Sequence, residues 1–528
     1  MTDTPEPVQA SIRKNITANV VGSGWPALLA LAFIPLYIKL IGIEAYGLVG
    51  FSTVFISLMS RLDFGLSTAL GRELVRYSAQ GGGRDADARD LVRSLELIFW
   101  ALGVVAVCAT AAVAPTIARL WLNADQLSDG TVVTAIRLIG LMFACQFPFA
   151  IYQGGLIGLD RQVLLNGLVT TMATLRSIGA LIVLWLVSPT IEAFFIWQAF
   201  VGLLQTVSSA CCLWRGLPPA GGRPHVRKDL LGGLWRYAAG MTVLSTLQLA
   251  IVQVPVLLLS KVLSLEDYGY FTLALNVAFT VLIGGNAIQI AVFPRFARYH
   301  EMGDTAQLAA LYHRMCQFTA ASLVPLCAVM CWFAADLLML WTDDPLITKN
   351  AAPLLALLAL LAMLRTVVNI PFALQYASGH LRPALISVTA ALIAIVPLML
   401  LLTDMYSGAA GVIAAWGIAY MFLAAIMMPM VHRELLPGEL ISWAFVDCGI
   451  PVVVACGSCA AAQCVVPAGL SRPMLLLATA AVTCVAMLLT ALATPLVRPF
   501  VTGYSQHFCR HRTGSEKATV SSDDDCCK

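Results

Sequence analysis

The chain has 528 residues, of which 59% are hydrophobic and only 12% charged, with a formal net charge of +3. That balance belongs to a chain whose solvent is lipid, and it excludes an assembly of soluble domains. The basic residues lie in short connections beside apolar runs, so the small positive charge carries no sign of nucleic-acid binding.

A bilayer core about 30 Å thick needs roughly 20 consecutive apolar residues per helix. Runs of that kind, bounded by charged or Gly/Pro-rich segments, predict helices at 17–41, 46–66, 91–114, 131–157, 163–188, 190–214, 235–260, 268–294, 316–340, 351–377, 383–404, 408–431, 445–467 and 474–497. The expected fold class is all-α: a polytopic membrane protein of about 14 transmembrane helices. The polar start, 1–16, leads into a run too long for a signal-peptide core, with no small-residue cleavage site after it, so the first helix is read as retained. Between helices 2 and 3, Leu66 to Tyr77 mixes apolar residues with Arg72, Glu73 and Arg76 and then breaks at Gly81-Gly82-Gly83. It fits either an extension of helix 2 along the membrane surface or a solvated helix end. The segment 498–528 is polar and reads as a disordered tail.

Fifteen cysteines are scattered through apolar runs (Cys108, Cys145, Cys316, Cys331, Cys464) or stand in pairs such as Cys211/Cys212. They form no metal-ligand spacing and no disulfide framework, and are read as small apolar side chains. No metal, cofactor or catalytic constellation is predicted.

Basic connections are retained in the cytoplasm. Alternate connections hold 24 Lys and Arg, among them Arg61, Arg72, Arg76, Arg161, Arg227, Arg298, Arg382 and Arg433, against five in the other set (Lys39, Arg119, Lys261, Lys349 and Arg472). Both termini are therefore placed in the cytoplasm. The opposite loops are short and carry acids such as Asp125, Asp129, Asp343 and Asp344.

An internal repeat runs through the chain. Glu44-Ala45-Tyr46-Gly47 recurs as Glu266-Asp267-Tyr268-Gly269, and Arg76-Tyr77 as Arg298-Tyr299, both at an offset of 222 residues. Pro148-Phe149-Ala150 answers Pro371-Phe372-Ala373, and Gly158 and Arg161 answer Gly379 and Arg382, within one residue of that offset. The offset spans six helices, an even number, so the halves share one orientation and form parallel lobes. The expected organisation is an N-lobe at 17–214, a linker at 215–234, a C-lobe at 235–431 and two extra helices within 432–497.

Ionisable groups deep in a span cost roughly 2.5 to 3.5 kcal/mol on insertion scales and face a cavity or a partner. The deepest are Arg176 in helix 5 and Arg365 in helix 10; Arg137 lies nearer the end of helix 4, where its side chain can also snorkel to the surface. A guanidinium suits a phosphate through forked hydrogen bonds, so these three arginines predict an anionic cargo, with snorkelling or structural pairing as the competing reading. Arg61, Asp63 and Arg72 mark a candidate cytoplasmic entrance; the spacing of Arg61 and Asp63 points them to different helix faces. Glu96, Glu192 and Asp447 are read as solvated helix ends. Prolines within spans favour bends, and the matched pair Pro148 and Pro371 are the best candidates.

The stretch Asn15 to Trp25, then Pro35-Leu36-Tyr37-Ile38-Lys39-Leu40-Ile41-Gly42-Ile43-Glu44-Ala45-Tyr46-Gly47-Leu48, resembles the bacterial polysaccharide transporter family. Leu62-Asp63-Phe64-Gly65-Leu66 and Gly71-Arg72-Glu73 look like that family's second helix and its exit. The family includes the O-antigen and exopolysaccharide flippases of the multidrug and lipid-linked oligosaccharide exporter superfamily. The resemblance implies two six-helix lobes around a cavity of alternating access, in the bacterial inner membrane. Its implied cargo is an undecaprenyl-pyrophosphate-linked oligosaccharide, and its implied partners are membrane lipid and polysaccharide polymerase or assembly proteins. Two rivals remain: a drug/cation antiporter of the same superfamily, disfavoured by the lack of an acid between Thr17 and Ile41 or between Trp235 and Ser260, and a polysaccharide polymerase or glycosyltransferase, which needs acids or His in a large outer loop. The coupling ion or proton is left open.

Overall fold

The computed structural model describes residues 6–79, 85–219, 222, 224–405, 408–467 and 470–498. The glycine run 81–83 and the tail 499–528 lie outside these. Among the described residues the chain is helical and has no strand, only an isolated bridge between Asn123 and Ser264. Fourteen helices are long and apolar enough to cross a membrane. In chain order they are spans 1 to 14: Gly24–Ile41, Ile43–Asp63, Asp85–Leu120, Asp129–Gly158, Gln162–Leu186, Ile191–Gly216, Ser245–Val262, Leu265–Glu301, Thr305–Trp332, Pro345–Ser378, Arg382–Thr403, Ala409–Leu435, Leu440–Val465 and Arg472–Ala493. Each corresponds to one of the predicted helices. With no water in hydrocarbon, backbone groups must be satisfied within each segment, which is why the apolar runs can only be helices.

Polar residues start these helices by accepting backbone N–H groups of the first turn. Ser128 accepts from Thr131 (3.2 Å), Ser264 from Asp267 (3.1 Å) and Asp304 from Gln307 (3.0 Å). Asp344, one of the adjacent pair Asp343 and Asp344, is likewise spent on the N–H groups of Leu346 and Ile347.

By chain contacts the protein divides into two compact units. The first comprises Met1–Ile283, Ala334–Leu361 and Arg382–Ala425; the second comprises Gly284–Phe333, Ala362–Leu381 and Ile426–Lys528.

Within the first unit the repeated motif packs on itself. A Cβ on Gly47 would stand 2.3 Å from the Leu265 carbonyl oxygen, and a Cβ on Gly269 would stand 2.3 Å from that of Ile43. Ile43 and Leu265, like Gly47 and Gly269, are 222 residues apart. One helical turn further, Gly50 lies against its own counterpart, Thr272, and the Asn276 amide donates to Tyr46 Oη at 2.9 Å. Spans 2 and 8 therefore meet along a reciprocal seam in which glycine lets the backbones touch. Beside it the buried Glu44 carboxylate accepts the N–H groups of Asp125, Gln126 and Leu127, holding the connection between spans 3 and 4.

Three expectations change. Leu66–Ala79 is a separate helix packed on one face, not a merely solvated end of span 2. Its Leu66, Leu70 and Leu74 face is buried, and it packs on Phe149–Gly158 through glycines: a Cβ on Gly154 would stand 2.1 Å from Ser67 O, and one on Gly158 would stand 2.4 Å from Gly71 O. Glu96 is not solvated: it is 5% exposed and accepts from Tyr152 Oη (3.0 Å) and Trp214 Nε1 (2.6 Å), with Arg93 at 3.1 Å. Asp447 is fully buried in a π-helical stretch, Trp443–Gly449. Both acids lie inside a packed bundle, where a carboxylate persists only with hydrogen-bond donors around it.

Gly154→Val should lower stability by about 1–3 kcal/mol, because neither the Ser67 carbonyl nor the backbone behind it can withdraw. Gly417→Ala, at a helical glycine with nothing within 4 Å of its added Cβ, should be neutral or slightly stabilising. Thermal unfolding of the two purified variants in detergent checks both.

Candidate functional site

Span 5 carries Arg176 at its middle, and the apolar residues around it leave the charge no water to reach along its own helix. The tertiary packing supplies a polar enclosure. Arg176 lines two cavities of the first unit, about 630 Å³ and 560 Å³, which share Ile56, Gln146 and Arg176 itself. In the larger, its guanidinium Nη2 donates to Gln205 Oε1 at 3.1 Å. Its Nε is buried and has no hydrogen-bond partner, and among the described residues no carboxylate lies within ion-pairing distance.

Arg61 and Asp63 line the same larger cavity. Two residues apart, their side chains leave the helix in different directions, and the cavity reaches both. Span 2 tightens into a 3-10 turn at Ser60–Asp63, then reverses through Phe64 (φ 46°) and Gly65 (φ 77°), which carries the chain back so that Ser67 lies within reach of Asp63. Their roles differ. Asp63 Oδ1 accepts the Ser67 N–H at 2.9 Å and Oδ2 accepts the Ser67 hydroxyl at 2.6 Å, so this carboxylate caps Leu66–Ala79. Arg61 Nε is buried without a partner.

Amides complete the lining. Gln146, Gln153, Gln205 and Ser245 face the larger cavity, together with Phe143, Phe147 and Phe149. Gln198, Gln253 and Asn276 face the smaller, with Tyr37, Tyr46 and Trp416. Gln146 Nε2 is buried with no partner. Residue-by-residue inspection of charge misses these amides, although a signal exists: Gln146 and Gln153 in span 4, and Gln198 and Gln205 in span 6, each stand seven residues apart, two helical turns on one face of an otherwise apolar span.

The other predicted site residues are placed elsewhere. Arg72 sits on the exposed side of Leu66–Ala79 at 3.2 Å from Glu73. Arg137 is exposed on span 4, and Arg365 is half-buried at mid-span 10 in the second unit; neither lines the two cavities. Pro148 stands where span 4 is interrupted between Asp129–Gln146 and Phe149–Gly158, its N–H-less nitrogen falling at the start of the second segment. Pro371 lies inside the continuous helix Pro345–Ser378.

Two adjoining cavities of the first unit meet at Arg176, a buried cation with no carboxylate within ion-pairing distance among the described residues. Residues 12–300 match the family described as polysaccharide biosynthesis protein, and the chain belongs to that family. The fold is similar to that of solved membrane-protein structures. The structure titled "Lipid II flippase MurJ, inward closed conformation" aligns with a TM-score of 0.65 at 12% identity, over 95% of this chain and 100% of that one. An inward-facing multidrug resistance MATE family transporter of the MOP superfamily aligns at 0.63 and 13% identity, over 82% and 96%. The MATE multidrug transporter DinF-BH aligns at 0.59 and 15%, over 81% and 96%. No curated protein matches the chain by sequence.

The distinct roles of Asp63 and Arg61 are testable through stability. Asp63→Ala should cost about 1 kcal/mol, as loss of a helix cap does, whereas Arg61→Gln should leave thermal stability unchanged or raised, since it removes a buried charge with no protein counter-ion.

Proposed function

We propose that the protein is a flippase that carries an undecaprenyl-pyrophosphate-linked oligosaccharide, an O-antigen or exopolysaccharide repeat unit, across the bacterial inner membrane by alternating access. The observation that carries this reading is Arg176, a buried guanidinium open to two cavities with no protein carboxylate to balance it. A buried unpaired charge is strongly destabilising, so an anion is the ligand such a site favours. Pyrophosphate fits the forked donors of Arg176, with Arg61 as the second cation at the rim. Amides and aromatic rings on the same walls suit sugar hydroxyls and sugar faces, and the lipid tail stays in the bilayer.

The loop charges orient this path. Arg61, Asp63 and Ser67 fall at the basic, cytoplasmic end, while the Gly47/Gly269 seam falls at the opposite end. In this reading the head group enters past Arg61 and pauses on Arg176. It leaves when the two six-helix lobes, residues 17–214 and 235–431, rock and the seam between spans 2 and 8 parts. Both termini are cytoplasmic in this orientation, and polymerase or assembly proteins of polysaccharide synthesis are the expected partners.

The antiporter reading needs an acid free to exchange a proton or cation against a cationic drug. Among the described residues the one carboxylate lining the two cavities, Asp63, is spent on Ser67, which favours the anionic cargo. A polymerase or glycosyltransferase is disfavoured by the use of Asp344 as a helix cap.

Flipping of a labelled lipid-linked oligosaccharide in proteoliposomes tests the assignment. Arg176→Gln should reduce the rate at least tenfold, about 1.4 kcal/mol or more; Arg176→Lys should be partly active, and Arg137→Gln should retain the wild-type rate. Full activity of Arg176→Gln at normal protein level overturns the site, and transport of a cationic dye without oligosaccharide flipping favours the antiporter. Gly269→Val should prop the seam apart and slow flipping without weakening cargo binding, measured as rate against affinity in the same vesicles.

A further inference from the structure

The second unit holds a buried polar cluster that no step above uses. His313, on span 9, stands between two carboxylates: its Nδ1 is 2.5 Å from Asp447 Oδ2 and its Nε2 is 3.1 Å from Glu439 Oε2. Asp447 is fully buried in the π-helical stretch Trp443–Gly449, and its Oδ1 accepts from Gln317 Nε2 at 2.7 Å. Gln317 Oε1 in turn accepts the Leu496 N–H at 2.8 Å, just past span 14. One side-chain chain thus ties span 9 to both of the helices that lie outside the repeat.

Counting hydrogens shows what the cluster must contain. Each nitrogen-to-oxygen contact needs one hydrogen; a neutral imidazole supplies one for its two nitrogens, and an ionised carboxylate supplies none. The two contacts of His313 are satisfied together only by imidazolium, or by neutral imidazole with one carboxylic acid. Either way the trio holds one proton more than a neutral histidine and two carboxylates. Without it, a nitrogen lone pair faces a carboxylate oxygen, a repulsive contact whichever of the two carboxylates it meets.

The neighbouring groups do not supply that proton. His432 Nδ1 faces the Met428 carbonyl oxygen at 2.8 Å and so carries its own hydrogen there, leaving Nε2 to accept from Tyr312 Oη at 3.2 Å. Cys316 and Cys448 are free cysteines beside this cluster, and the Trp443 ring lies tilted against His432, centroids 5.5 Å apart. Among the described residues, Asp447 and Glu439 have no Lys or Arg partner. Access is graded: the Glu439 side chain is 41% exposed, that of His313 is 12% exposed and that of Asp447 is 0% exposed.

We propose that Glu439, His313 and Asp447 form a proton-binding site, with one proton shared among the three, that holds spans 13 and 14 on span 9. The proton enters at Glu439 and passes to His313 Nε2, while the hydrogen on Nδ1 is drawn to Asp447; release reverses the path and returns the proton to water. The π-helical turn beneath Asp447 is the element that repacks as its charge changes, a local geometry often found at functional sites. For the flippase reading, on which this one consequence rests, flux depends on the pH at the face of the membrane that Glu439 meets.

The test uses full-length protein in lipid nanodiscs with 15N-labelled histidine rings, His313→Gln assigning the signal. Infrared difference spectra report any carboxylic acid. The expected result is an imidazolium signal for His313, or a carboxylic-acid band, that is lost in Asp447→Asn. In Glu439→Gln, a substitution at a half-exposed site that spares the packing, its titration should move by about one pH unit, tenfold in proton concentration. A neutral His313 with both carboxylates ionised across about pH 5 to 8, or a titration identical in wild type and Glu439→Gln, overturns the site. The spectra need no cargo. If they show the proton while wild-type protein flips no lipid-linked oligosaccharide, the transport reading fails and the site stands.

Discussion

Arg176 carries a full charge at the middle of a helix that lies within the membrane, and the first unit is arranged to give that charge a polar enclosure. Gln205 takes one guanidinium nitrogen, Gln146 stands beside it, and two cavities open on either side. The one acid on the cavity walls among the described residues, Asp63, is engaged in capping Leu66–Ala79 through Ser67. In the proposed flippase reading the charge on Arg176 is left for a ligand to balance, and the cost of leaving it unbalanced becomes the energy available for recognising an anion.

That enclosure depends on backbones approaching one another very closely. Gly154 and Gly158 seat the short helix that follows span 2, which brings Arg61 and Asp63 to the cavity rim. Gly47 and Gly269 close spans 2 and 8 on each other by the same means. In lipid there is little hydrophobic gain in pressing helices together, so close packing and the hydrogen bonds it permits carry the association. The repeat acquires a physical meaning here: its best-matched residues are those at which the two halves touch as equals.

The fourteen spans were legible because each announces itself locally, as a run of apolar residues long enough to cross. Arg176 was legible for a related reason, since an ionisable group in such a run needs a partner or a cavity. Arg61 and Asp63 were legible as residues, but the task of Asp63 was not, because the Ser67 groups it holds lie beyond a chain reversal at Phe64 and Gly65. Glu96 and Asp447 looked like helix ends by their sequence positions; Tyr152 and Trp214 in one case, and His313 and Gln317 in the other, reach them from more than 50 residues away.

Taken by itself, the sequence determined the solvent, the number of helices, the repeat and the presence of cations at membrane depth, because hydropathy and periodicity act over a single helix. Only the tertiary structure decided which polar groups share a wall. It set Gln146, Gln205 and Arg61 around Arg176, assigned Asp63 to a cap, and closed His313 between Asp447 and Glu439. Those relations depend on the rotation and crossing of helices far apart in the chain, which are set by glycine contacts and side-chain packing that no local pattern encodes.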